Sequence, residues 1–80
     1  MLKLSKKSKH STEEVIKRAV KFFGPGGYGL KITEQDDCCI TFEGAGGGVY
    51  VTAAADKKGS SVDVESREWD YQTEEFMGKI

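Results

Sequence analysis

"CCITFEGAGGGVYVTAAADKKGSSVDVES", residues 38–66, decides the fold. Its apolar residues recur at every second position in three successive runs. "CCITFE" places Cys38, Ile40 and Phe42 on one side and Cys39, Thr41 and Glu43 on the other. "VYVTAAA" sets Val49, Val51, Ala53 and Ala55 against Tyr50, Thr52 and Ala54, and "SSVDVES" sets Val62 and Val64 against Ser61, Asp63 and Glu65. A period of two is the signature of half-buried strands. The connectors "GAGGG" and "DKKGS" are turn-like and short, which requires antiparallel neighbours. Upstream, "YGLKIT" repeats the pattern with Tyr28, Leu30 and Ile32 and joins through "EQDD". Together the runs predict a four-stranded antiparallel meander with one dry and one wet face.

Helical patterns flank the meander. "STEEVIKRAVKFF" opens on Ser11 as N-cap, with Glu14 three residues on to complete a capping box. Val15, Ala19 and Phe22 form one stripe, and Ile16, Val20 and Phe23 the adjacent one. "GPGGYG", residues 24–29, has the glycine content of a phosphate cradle. Its context is reversed, however. A cradle runs strand, loop, helix and presents helix N-terminal N–H groups to the anion, whereas here the helix precedes the loop and meets it at its negative end. A C-cap and reversal is the reading that fits. At the other end, Trp69, Thr73 and Phe76 recur at helical spacing, with the start near Ser66 or at Thr73. Two amphipathic helices and one dry sheet face predict a two-layer α+β sandwich, with both helices on the same side. The order helix–meander–helix resembles one half of the TATA-binding-protein-like fold without its first strand. That likeness is of topology and carries no function.

Eighty residues make one domain, expected over residues 11–80. The net charge of −1 is unevenly distributed. Residues 1–23 carry seven bases against Glu13 and Glu14, net +5, while residues 24–80 carry five bases against eleven acids, net −6. Residues 1–10 have no sustained apolar period beyond Leu2 and Leu4, so a flexible basic tail is expected there rather than an edge strand. The leader has no apolar core of a secretory signal, and no run approaches the roughly 20 apolar residues of a membrane span. A cytoplasmic location without membrane contact is the corresponding expectation.

Few residues suit catalysis. The sole histidine, His10, lies in the expected tail, which removes the usual base of a nucleophilic triad. Alternation along a strand turns Cys38 and Cys39 to opposite faces, which argues against a mutual disulfide and against a shared metal, so no metal or cofactor is expected. Cys39 would be a free thiol whose ionisation Asp36 and Asp37 oppose. Asp63 and Glu65 project together from the wet face, about 7 Å apart by strand geometry, and supply the only carboxylate pair worth weighing. Nucleic-acid binding would use the lysine leader and Tyr50 as a stacking platform. Glu43, Asp63 and Glu65 oppose it.

The wet face is poor in long charges at its centre. Lys31, Cys39, Thr41, Tyr50, Thr52, Ser61 and Asp63 are its candidate binding residues, with Gly44, Gly46, Gly47 and Gly48 expected as a mobile loop at one rim. The chain therefore reads as a non-catalytic association domain, joining a protein partner or a second copy through the sheet face or edge. A small molecule under the helices or on the sheet is the nearest variant. The alternatives are a small enzyme using Cys39 or the carboxylates, and a nucleic-acid accessory protein using the lysine arm.

Overall fold

The computed structural model describes residues 2–44 and 46–80, which form β1 (Leu2–Ser8), α1 (Thr12–Phe23), β2 (Lys31–Gln35), β3 (Cys39–Gly44), β4 (Gly47–Asp56), β5 (Gly59–Arg67) and α2 (Asp70–Lys79). All neighbours in the single sheet are antiparallel, in the order β1-β5-β4-β3-β2. The α+β class and the meander are as expected, but the sheet has five strands, not four. The basic leader is the fifth. Leu2–Ser8 pairs residue for residue with Ser60–Ser66, so this segment is an edge strand where a tail was expected.

The reason β1 forms lies on its inner side. Leu2 and Leu4 are half-buried, Leu4 packed against the core, and the next two inward positions are polar but bonded. Lys6 Nζ donates to the Met77 carbonyl at 2.7 Å, and Ser8 Oγ donates to the Ile80 carbonyl at 3.2 Å. The final carbonyls of a helix lack partners within the helix, and a cation is favoured at that end. β1 thus closes the sheet edge and caps α2 together.

Ser11 Oγ accepts from the Glu14 N–H at 3.2 Å, as its cap position requires. The reciprocal arm of the capping box is absent, because the Glu14 carboxylate instead pairs with Arg18 Nε one turn on, at 2.9 Å. After α1 the glycine-rich loop folds back over the helix end. Tyr28 N–H bonds to the Phe22 carbonyl and Leu30 N–H to the Phe23 carbonyl. A Cβ on Gly27 would collide with the Phe22 carbonyl oxygen, so this close approach requires glycine. The loop is a C-terminal wrap and holds no anion-facing helix N-terminus.

α1 lies over β3, β4 and β5, and α2 over β1 and β5. Val15, Ile16, Ala19 and Phe23 of α1 and Phe76 and Met77 of α2 meet Ile40, Phe42, Val49, Val51, Ala53, Val62 and Val64 of the sheet in one core. Phe23 is the keystone, with its ring 5.5 Å from Phe42 and 5.2 Å from Phe76. Each such side chain contributes about 1.5–3 kcal/mol by leaving water. Neither Ser66 nor Thr73 caps α2. The helix begins at Asp70, after Glu68 turns the chain with φ of 68°. Ser66 Oγ bonds the Asp70 carboxylate at 2.7 Å, and Thr73 is buried inside the helix. Among the described residues, no helix is long and apolar enough to cross a membrane.

Candidate association surface

The outer sheet face consists of the residues that alternate with the core positions, and register arranges them in rows. Lys3 stands opposite Glu65, Glu65 opposite Tyr50, Tyr50 opposite Thr41 and Thr41 opposite Glu34. The next row runs Ser5, Asp63, Thr52, Cys39. On the other side of Tyr50 the row is Arg67, Gly48, Glu43, Lys31. Lys7, Ser61 and Ala54 form the next row, and Asp56 ends β4 on the same side.

All seven expected binding residues lie on this face. Lys31, Tyr50, Thr52 and Asp63 are exposed, and Cys39, Thr41 and Ser61 are half-buried. The ladder brings Cys39, Thr52 and Asp63 into one row and Thr41 and Tyr50 into another. Lys31 stands apart, on the edge strand two positions from β4. Tyr50 keeps 42% of its surface in solvent, and a Cβ built on Gly48 would lie 3.5 Å from its hydroxyl oxygen, so the ring leans along β4 over that glycine. A shallow concavity of about 340 Å³ lies among Lys3, Tyr50, Thr52, Asp63 and Glu65.

Sequence reasoning missed Lys3, Ser5 and Lys7, because it left residues 1–10 outside the sheet. Their alternation with Leu2 and Leu4 was the available signal. Ser5 Oγ donates to Asp63 Oδ1, which fixes that carboxylate on the face. Among the described residues, the only ion pair within 4 Å is Glu14–Arg18. The charges of the outer face therefore stand in register without being neutralised by one another.

The glycine connector is more ordered than a loose tip. Gly44 ends β3, Gly47 and Gly48 begin β4, and Gly44 pairs with Gly47. Gly46 is the turn residue, and Ala45 lies outside the described residues. A Cβ on Gly47 would collide with the Arg67 carbonyl oxygen, so glycine here admits the neighbouring strand.

The cysteines depart most from expectation. Cys38 and Cys39 form a disulfide, with Cα atoms 3.7 Å apart, and Cys39 carries no free thiol. The strand argument fails because Cys38 is not in a strand. β3 begins at Cys39, and Cys38 sits in the turn after β2. There Asp36 Oδ1 accepts from the N–H groups of Cys38 and Cys39 at 3.0 and 2.9 Å, and this turn directs both sulfurs to one side. Asp36, Cys38 and Cys39 bring their ligand atoms within 4.8 Å of one another, but the bridge occupies both sulfurs.

Away from the face, the Tyr28 hydroxyl donates to Glu75 Oε1 at 2.9 Å, and this bond to a carboxylate raises the phenol above its ordinary value. A groove of about 440 Å³ opens between α1 and the β2–β3 turn, lined by Ile16, Val20, Lys17, Lys21 and Asp36. Comparison with protein-family models, with curated proteins and with solved structures finds no match.

Proposed function

We propose that this chain is a non-catalytic association domain that pairs with a second copy of itself through the outer sheet face, about a two-fold axis along β4. The observation that carries this reading is the charge pattern across the rows. β4 is the central strand, so rotation by 180° about it lays β1 on β2 and β5 on β3 of the second copy. Lys3 then faces Glu34, and Arg67 faces Glu43, each twice by symmetry. Gly48, Tyr50, Thr52 and Ala54, none of them charged, meet their own counterparts on the axis, and Asp56 at the end of β4 meets its own as a like-charge contact. The alternative two-fold, across the strands through the Thr52 row, would lay Lys3 on Lys7. Opposite charges across an interface set register and orientation, and like charges exclude the wrong one.

The face is favoured over the edges. β1 presents Lys3, Lys6 and Lys7 on its strand, and β2 carries charges and a register shift at Thr33. Both are devices that discourage strand-to-strand addition. Five strands at about 4.8 Å spacing and about eight residues of ~3.3 Å give a flat area of roughly 600 Å² per copy. That approaches the ~800 Å² per partner of a standard interface. Single-stranded nucleic acid, the rival for this face, would stack on Tyr50 amid Glu43, Asp63 and Glu65, which repel phosphate. Sedimentation equilibrium from micromolar to millimolar concentration tests the pairing. The expected result is a mass rising from 8.8 kDa towards twice that value. A single 8.8 kDa species throughout would overturn it.

A further inference from the structure

We infer that the Cys38–Cys39 bridge is a two-electron redox site, opened by thiol–disulfide exchange with a small dithiol or a dithiol-bearing protein, and not a structural brace. A structural disulfide ties together parts of the chain that would otherwise separate, and its effect on the unfolded chain grows with the loop it closes. This bridge spans a single peptide bond, the shortest loop available. The turn that contains it is held without it. Asp36 N–H bonds to the Cys39 carbonyl at 2.9 Å, the Asp36 carboxylate accepts from both cysteine amides, and Ala53 N–H bonds to the Cys38 carbonyl at 2.7 Å. Breaking the sulfur–sulfur bond leaves each of these interactions in place.

Access and leaving-group chemistry favour one order of events. Cys38 is exposed and Cys39 half-buried. An incoming thiolate attacks Cys38 Sγ, forming a mixed disulfide, and Cys39 Sγ departs with the bonding pair and takes a proton from water. Expulsion of the other sulfur first is disfavoured, because the Asp36 carboxylate lies 3.2 Å from Cys38 Sγ and opposes negative charge there. The second thiol of the reductant then attacks its own sulfur in the mixed disulfide and releases Cys38 as a thiol. The protein gains two electrons and two protons, and the dithiol becomes a disulfide. The reverse reaction needs only an oxidised partner of the same class. The adjacent position of Cys39 makes re-closure fast, so an adduct with a monothiol is expelled while a dithiol carries the exchange to completion.

The test equilibrates the purified chain in buffers of reduced and oxidised dithiothreitol, quenches with an alkylating agent and counts adducts by mass. The expected result is half-reduction at a reduced-to-oxidised ratio of about 1:10 or lower, the behaviour of a labile disulfide. The reduced protein and the Cys38→Ser/Cys39→Ser variant should melt within roughly 4 °C of the oxidised protein, a shift that corresponds to little stability in a domain of this size. Half-reduction only above a ratio of about 1:10, the range of a structural disulfide, would overturn the inference. So would a loss of ordered structure on reduction, or two alkylatable thiols in air-equilibrated protein. None of these readouts depends on whether the outer face pairs with a second copy.

Discussion

Reversing the charge of Glu34 is the most incisive test of the pairing geometry. Within its own sheet Glu34 faces Thr41 on an exposed edge strand, so Glu34→Lys disturbs no charge pair of the fold. Across the proposed two-fold it faces Lys3, and symmetry places two such contacts in each dimer. An exposed ion pair contributes about 0.5 kcal/mol, and a like-charge pair at the same place costs a similar amount. Each reversed contact therefore costs about 1 kcal/mol, and the dimer about 2 kcal/mol, a weakening of roughly 30-fold in Kd. Sedimentation equilibrium at low ionic strength measures it directly, with urea unfolding as the check that the fold is intact. Adding Lys3→Glu re-creates the pair with opposite polarity and should return the Kd to within about threefold of the parent. Raising salt to about 1 M should shrink both effects, because the Debye length falls to ~3 Å. An unchanged Kd for Glu34→Lys, or a double variant no tighter than the single one, would refute the β4 axis even if the chain dimerises.

Other outcomes follow from the fold. Phe23→Ala removes the ring between Phe42 and Phe76 and should destabilise by about 3–5 kcal/mol, measured by urea titration. Phe22, only partly buried, should cost less. Lys6→Ala leaves the Met77 carbonyl without its cation and should lower stability by about 1 kcal/mol, with faster amide exchange in the last turn of α2 and none of that effect in α1. Tyr28 gives a pH signature. Its hydroxyl binds its proton more tightly in the folded chain, so the associated stability is complete below pH ~10, the unfolded phenol value, and is lost as pH rises through the higher folded value. In an ultraviolet titration, Glu75→Gln should move the ionisation of Tyr28 to lower pH.

The central strands and α1 were legible in the sequence because single-parity apolar runs admit one burial pattern. At Leu2–Ser8 the same rule misled. The inward positions are Leu2, Leu4, Lys6 and Ser8, and only two are apolar. A lysine reads as solvated unless its partner is known, and the Met77 carbonyl lies 71 residues away in the chain. The α2 boundary failed for a related reason. Ser66 had the right chemistry for a cap, but its hydroxyl is used against the Asp70 side chain at the end of β5. The disulfide was misjudged because a correct rule about strands was applied to a turn residue, and Asp36 ends the strand geometry just before Cys38.

The placement of β1 changes the meaning of the outer face. Without it, the face carries Asp56, Asp63, Glu65, Glu43 and Glu34 against Lys31 and Arg67, an acidic surface with no evident complement. With it, Lys3 and Lys7 offset most of the acids across the width of the sheet, the pattern on which the proposed pairing rests. Along β4 the outward positions Gly48, Tyr50, Thr52 and Ala54 are uncharged, and the first charge on that side is Asp56 at the strand end. Charge at the rim and its depletion at the centre is the composition of a contact surface. Both helices use their apolar faces on the opposite side of the sheet, so no helix covers this face of β4. The proposed pairing with a second copy would cover this strand with its own counterpart.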